Sequence, residues 1–195
     1  LALGMKNLAL TDSNGLYAAV PFYRLCQDRG LRPILGVEVD DPKDPTASLV
    51  LLARDRHGYS DISCLVTCRH LNDSFSLAQA VAENSGHYFI LTRSLPLLQQ
   101  LADLGVESLY GEITAWKGRQ ELHRAGQLVR FCRRRGISYA ATNDVYFARP
   151  HGFQLHRILR AIGLLKTVGT LEDSNLADPH AWLKSEAEMR HALGC

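Results

Sequence analysis

At 195 residues, 46% hydrophobic and 22% charged, the chain can bury a core without disulfides or structural metals and is too apolar to be disordered throughout. That length suits one domain, or one domain with a small appendage. A net charge of +2 with histidines neutral excludes recognition of nucleic acid by bulk electrostatics. No apolar run approaches the roughly 20 residues of a membrane span.

The chain opens on Leu1 rather than Met. Residues 1–6 read as the last turns of a helix, ended by Gly4 or by Met5-Lys6-Asn7, and 186–195 stops inside a helical pattern. Both ends predict a piece of a longer protein, and no basic stretch leading into an apolar region marks a signal peptide.

Strands are predicted at 8–11, 33–40, 48–54, 87–92, 108–113 and 137–142. Several are apolar at consecutive positions, the pattern of a strand buried on both faces. Between the first two, Leu16, Ala19, Val20, Tyr23 and Cys26 fall on one helical face, and Gly30 is placed to cap it. A loop rich in proline and aspartate, 40–46, precedes the third strand. Ile62, Leu65, Val66 and Arg69 repeat the helical spacing, as do Leu122, Ala125, Val129 and Cys132 before Gly136. After the sixth strand come Leu155, Ile158, Leu159, Ile162 and Leu165, then a polar connection at 167–178. Ser185 and Glu188 form a capping box. This alternation predicts an α/β fold with a mostly parallel sheet, either open and doubly wound or closed into a barrel.

In both architectures sites form beyond the carboxyl ends of strands. The residues there are Asp12-Ser13-Asn14, Glu38 and Asp40, Arg54-Asp55, Thr92-Arg93, Glu112 and Asn143-Asp144. Converging carboxylates would suit a divalent cation, although Asp12 and Asp144 have a simpler use as helix caps or turn closers. Glu38, inside an apolar strand, needs a partner or a cation.

Imidazole is the commonest ligand of zinc-type sites, but His57, His70, His123, His151, His156, His180 and His191 lie in or beside helices, and His87 opens a strand. A histidine-based cluster is therefore not expected. The five cysteines, Cys26, Cys64, Cys68, Cys132 and Cys195, are odd in number and contain no CxxC, the usage of reduced cytosolic thiols. Cys64 and Cys68 share a helical face and read as core. Arg130, Arg133, Arg134 and Arg135 close a helix, where cations offset the dipole. Glycine-rich phosphate loops and the serine-elbow and HExxH motifs are absent, which counts against a stand-alone barrel for a small phosphorylated ligand.

The run Leu10-Thr11-Asp12-Ser13-Asn14-Gly15-Leu16-Tyr17 resembles the L-T-D-H-x-G-L-Y segment of the PHP domain that opens the alpha subunit of bacterial DNA polymerase III and its error-prone relatives. The resemblance continues through 30–38, 49–55 and Gly58-Tyr59. It returns at 141–150 (Ala-Thr-Asn-Asp-Val-Tyr-Phe-Ala-Arg-Pro) and at Leu155-His156. Trp182-Leu183-Lys184-Ser185 and Glu188-Met189 look like the segment that follows the PHP domain.

The resemblance implies a distorted TIM-like (β/α)7 barrel over 1–165, without its first strand, then a connection and the start of a helical segment over 166–195. It also implies a metal cluster at the barrel's carboxyl end, which in active members hydrolyses phosphoesters or proofreads 3′ ends. Here three of the family's metal-binding histidines are replaced by Ser13, Ser48 and Tyr146, its first pair of ligands, an H-x-H, would lie before Leu1, and Glu38 and Asp144 remain. A hydroxyl is a weak ligand, so the expectation is a degenerate site that holds no metal tightly, or a hard divalent cation weakly. No catalytic residue is expected in this segment.

The function so implied is that of a structural or interaction module in a DNA-directed DNA polymerase. Its two Mg2+ ions would sit on carboxylates outside this chain. The full-length protein would meet DNA, deoxynucleotides and other replisome subunits in the cytoplasm, away from membranes. The alternative is a metal-dependent PHP phosphoesterase or 3′–5′ exonuclease. An isolated barrel without its first strand would leave an unpaired edge and be marginally stable.

Overall fold

The structure, a computed structural model, describes residues 3–114 and 119–193. Its described residues fall into two compact units: one runs to Ile113 and includes Gly126–Ala140, and the remainder form the other.

In the first unit the elements are β1 (Asn7–Ser13), α1 (Ala19–Asp28), β2 (Arg32–Asp41), β3 (Asp44–Ala53), α2 (Arg56–Leu71), α3 (Leu77–Glu83), β4 (Tyr88–Thr92), α4 (Leu95–Asp103) and β5 (Leu109–Ile113). The helix α5 (Arg119–Arg135) leads into β6 (Ser138–Ala141). The six strands lie in sequence order, β1 to β6, in one curled sheet, a half-barrel with β1 at one edge and β6 at the other.

The sheet is mixed rather than mostly parallel. β1–β2 and β4–β5 pair parallel, but β3 runs antiparallel to both β2 and β4. The physical reason is the connection. Only Pro42 and Lys43 separate β2 from β3, and a two-residue link can join only antiparallel neighbours. Asp41 ties this hairpin down: Oδ1 accepts from the Lys43 N–H at 2.9 Å and Oδ2 from the Leu77 N–H, at the start of α3, at 2.9 Å.

Side chains alternate across the pleat. The row Val37, Leu51, Ile90 and Leu109 faces the helices and is buried. It packs with Ile62 and Leu65 of α2, Leu77 and Val81 of α3, Leu97, Leu98 and Leu101 of α4, and Leu128, Phe131 and Cys132 of α5. Cys132 is buried as expected, but the buried face of α5 is centred on Leu128 and Phe131, and Leu122 is exposed. In α1 only Ala19 and Cys26 of the anticipated face are buried; Val20 and Tyr23 are exposed. Cys64 and Cys68 are also exposed rather than core. Gly36 is required where it stands, because a Cβ there would meet the Leu51 carbonyl oxygen at 2.3 Å.

The second unit holds α6 (Gly152–Gly163) and α7 (Glu186–Leu193). Around them, Phe147 and Trp182 form a parallel bridge, and the Ser185–Glu188 capping box forms as read, with the Ser185 N–H donating to Glu188 at 2.7 Å. That contact holds the Glu188 carboxyl below the usual carboxylate range. The predicted core stripe of α6 is not buried: Leu155, Ile158, Leu159, Ile162 and Leu165 are all exposed. No helix among the described residues is long and apolar enough to cross a membrane.

Candidate functional site

Reversal of β3 decides which candidates meet. The carboxyl ends of β1, β2, β4 and β5 share one rim of the sheet with the amino end of β3. Ser13, Asn14, Glu38, Asp40, Ser48, Thr92, Arg93 and Glu112 therefore belong to this rim. Arg54 and Asp55, expected with them, directly follow β3 and so lie at the opposite rim. There Asp55 caps α2, accepting from the Gly58 N–H at 2.9 Å, a bond that holds its carboxyl below the usual carboxylate range. The Arg54 guanidinium sits over the Phe89 ring, 4.3 Å from its centroid.

On the site rim, Ser13 is in register with Glu38, and the Asn14 N–H donates to the Glu38 carbonyl at 2.7 Å. Register places Ser13, Glu38, Val50, Leu91 and Tyr110 on the sheet face opposite the helices. Glu38, partly exposed, has a cation as partner: Arg93 Nη2 lies 3.3 Å from its Oε1, and the two side chains keep 31% and 23% of their exposure. Arg93 directly follows β4, so this pair crosses over β3. Ser48 is in register with Asp40, and its carbonyl accepts from Thr92 Oγ1 at 2.7 Å. Asp12 takes the simpler of its two readings, closing a turn by accepting from the Ala18 N–H at 2.8 Å.

A cluster that the sequence did not reveal centres on Asn14. Its backbone is left-handed, with φ 52°. Its Nδ2 donates to Asp40 Oδ2 at 3.0 Å while its Oδ1 accepts from the Asp40 N–H at 3.1 Å. Arg69, from the last turns of α2, pairs with the Asp40 carboxylate, and its Nε donates to the Asp40 carbonyl at 2.9 Å. His70 reaches the same place: its Nε2 lies 2.7 Å from the Asn14 carbonyl, so that nitrogen carries the proton. Arg69 was legible only as a member of an apolar helical stripe; its charge at the end of that stripe was the available signal.

The remaining candidates lie in the second unit. Asp144 has φ 44°. Tyr146 is exposed, donates its N–H to the Ala181 carbonyl at 2.9 Å, and sets its ring edge-on to His156 at 5.6 Å. His156 Nε2 accepts from the Ala177 N–H at 2.9 Å, and burial, then Arg160, lowers its pKa. Asn143 is buried; its Oδ1 accepts from Lys184 Nζ at 3.0 Å. That ammonium lies 3.7 Å from the Trp182 ring centroid, and burial pushes its pKa down.

Among the described residues, no group of three or more His, Cys, Asp and Glu is placed to hold a metal ion. The first unit's rim offers two carboxylates that already face guanidinium groups, Glu38 and Asp40, and hydroxyls at Ser13 and Ser48, a donor set that fits a tightly held transition metal poorly.

The family model of the PHP domain matches residues 1–142. DNA polymerase III subunit alpha of Bacillus subtilis is 29% identical over 213 residues, covering 97% of this chain and 19% of its own length. The error-prone DNA polymerase of Mycolicibacterium paratuberculosis is 28% identical over 224 residues, covering 96% of this chain and 20% of its own. The chain thus spans about a fifth of the length of these curated relatives. The solved structure of a candidate metal-dependent phosphoesterase from Bifidobacterium adolescentis has a TM-score of 0.44 and 12% identity, covering 73% of this chain and 78% of that one.

Proposed function

The chain belongs to the PHP domain family, and from that premise we propose that it is the PHP region of a DNA polymerase III alpha-type DNA polymerase, acting there as a structural and interaction module. The observation that carries this reading is the alignment of nearly the whole chain, 97%, with DNA polymerase III subunit alpha. The residues themselves support a non-catalytic role for this segment. Glu38 and Asp40 are engaged by Arg93 and Arg69, and the positions of three family ligands hold Ser13, Ser48 and Tyr146. Nucleotidyl transfer, with two Mg2+ ions on carboxylates, belongs to the part of the protein beyond this chain. DNA, deoxynucleotides and other replisome subunits are the partners of the full-length protein, which works in the cytoplasm.

The test is a pair of assays on the full-length protein. Primer extension with Mg2+ should be present, and nucleotide release from a 3′ end should not respond to added Mn2+ or Zn2+. Release that needs one of these ions and disappears in Glu38→Gln would establish the phosphoesterase or exonuclease reading instead. A full-length protein without primer extension would end the polymerase assignment.

A further inference from the structure

We propose that Arg93 stands where the family's fold would otherwise place a metal ion at Glu38, so that a fixed guanidinium, rather than a divalent cation, is the resident positive charge of this rim. The proposal deepens the structural reading above, and it rests on that reading only for the importance of the rim.

Three observations carry it. The first is geometric. Glu38 belongs to β2 and Arg93 follows β4, with β3 between them. Two strand spacings amount to roughly 10 Å, which a long arginine side chain can bridge. The guanidinium arrives 3.3 Å from Oε1. A metal ion that drew Glu38 and the β4 rim together would need a ligand of comparable reach, and the neighbouring strand positions offer Ser13 and Ser48. The second is repetition. Asp40, the next carboxylate along β2, meets a different guanidinium, that of Arg69 from α2. Two of the three β2 carboxylates on this rim, Glu38 and Asp40, therefore face an arginine supplied by another element, while the third, Asp41, accepts from main-chain N–H groups. The third is the state of the other donors. The Ser48 carbonyl accepts from Thr92 Oγ1, the Glu38 carbonyl from the Asn14 N–H and the Asp40 carbonyl from Arg69 Nε. Main-chain oxygens that could complete the shell of a hard cation are thus already used within the protein.

A divalent ion approaching Glu38 must displace Arg93 or share its carboxylate with a like charge a few ångströms away. Arginine also differs from a metal in what it gives the fold. It is always charged and cannot be chelated away, so the link between the β2 and β4 rims is permanent. A metal-clasped rim is conditional on supply, whereas this one is complete once the chain folds.

The test compares wild type, Glu38→Gln, Arg93→Met, Arg93→Lys and the double variant Arg93→Met with Glu38→Gln, each as the 195-residue chain. Each is dialysed against Mn2+ or Zn2+ and then analysed for retained metal and for its melting temperature, with and without EDTA. Wild type should retain no stoichiometric ion and melt identically in both conditions. R93M should melt lower and regain part of the loss in millimolar Mn2+, and the double variant should gain nothing from the ion. R93K should stay metal-independent and melt between wild type and R93M. Stoichiometric metal on wild type that is lost on Glu38→Gln would overturn the proposal, as would an R93M chain that melts like wild type. Should R93M fail to fold, metal retention by wild type alone decides the matter. Primer extension by the full-length protein is read independently of all these measurements, so loss of the polymerase assignment and loss of this proposal are separate results.

Discussion

Replacing Asn14 by alanine should destabilise the chain by about 3 kcal/mol. Two terms contribute. The side chain makes two hydrogen bonds to Asp40, one to the carboxylate at 3.0 Å and one from the main-chain N–H at 3.1 Å. A bond to a charged group contributes about 1.5–3 kcal/mol and a neutral one about 0.5–1.5. The site is half-buried, so the lower ends apply and the pair amounts to about 2 kcal/mol. The second term is backbone: at φ 52° alanine pays about 1 kcal/mol that asparagine largely avoids. Asn14→Gly separates the two, because glycine removes the backbone cost while still losing both bonds. The expected order is therefore wild type, then N14G, then N14A, with the variants about 1 kcal/mol apart. Urea unfolding followed by far-UV circular dichroism measures this directly, and with a slope of about 1–3 kcal/mol per molar the N14A midpoint should fall by at least 1 M. An N14A chain within about 1 kcal/mol of wild type, or an N14G chain less stable than N14A, would refute the reasoning.

Two further outcomes follow from the geometry. Gly36→Ala pushes a methyl carbon to 2.3 Å from the Leu51 carbonyl oxygen, so β2 and β3 must separate beside Glu38. A loss of about 3 kcal/mol is expected, at the upper end for overpacking because the obstacle is backbone, and a calorimetric melting temperature unchanged from wild type would contradict it. His156 must stay unprotonated to accept from the Ala177 N–H, and its pKa lies below the ordinary 6.5. The unfolded chain takes up that proton near pH 6.5 and the folded one only lower. The associated stability is thus complete above pH 6.5 and declines as the pH falls below it. Melting curves from about pH 7.5 to 5.5 should show the decline (a range of about 1 unit on either side of the ordinary value), and His156→Gln should flatten it.

Six strands and the principal helices were legible because each carries a local signal. The 33–40 and 48–54 runs are aliphatic enough to declare β2 and β3, and the Ile62, Leu65, Val66 stripe declares the buried side of α2. Strand direction carries no such signal in the residues. It lies in the length of a link, and the proline- and aspartate-rich stretch at 40–46 read as a loop although all but Pro42 and Lys43 belongs to strands. That one difference moved Arg54 and Asp55 to the far rim and brought Ser48 to the near one. Periodicity also overstates burial, since it reports which residues share a helical face and not whether that face is covered. Leu155, Ile158, Leu159 and Ile162 do share a face of α6, and that face is open. Within the site, Glu38 was legible as a residue in need of a partner, because a carboxylate among Val37, Val39 and their neighbours has no other resolution. The identity of that partner was not, because Arg93 is 55 residues away in sequence and only the sheet order brings it near. Asn14, Arg69 and His70 meet for the same reason.

The reversed strand has a bearing on how the protein can be modified. In an all-parallel sheet every connection at the functional rim leads into a helix, and lengthening one displaces a core element. Here one rim connection is instead a bare hairpin, Pro42-Lys43, exposed on the surface and anchored from behind by Asp41. Extra residues there cost only the slow growth of loop-closure entropy and leave the packing of α2 and α3 untouched. It is accordingly the place where a reporter, a crosslinker or an evolutionary insertion can be added within reach of the rim without rebuilding the sheet that supports it.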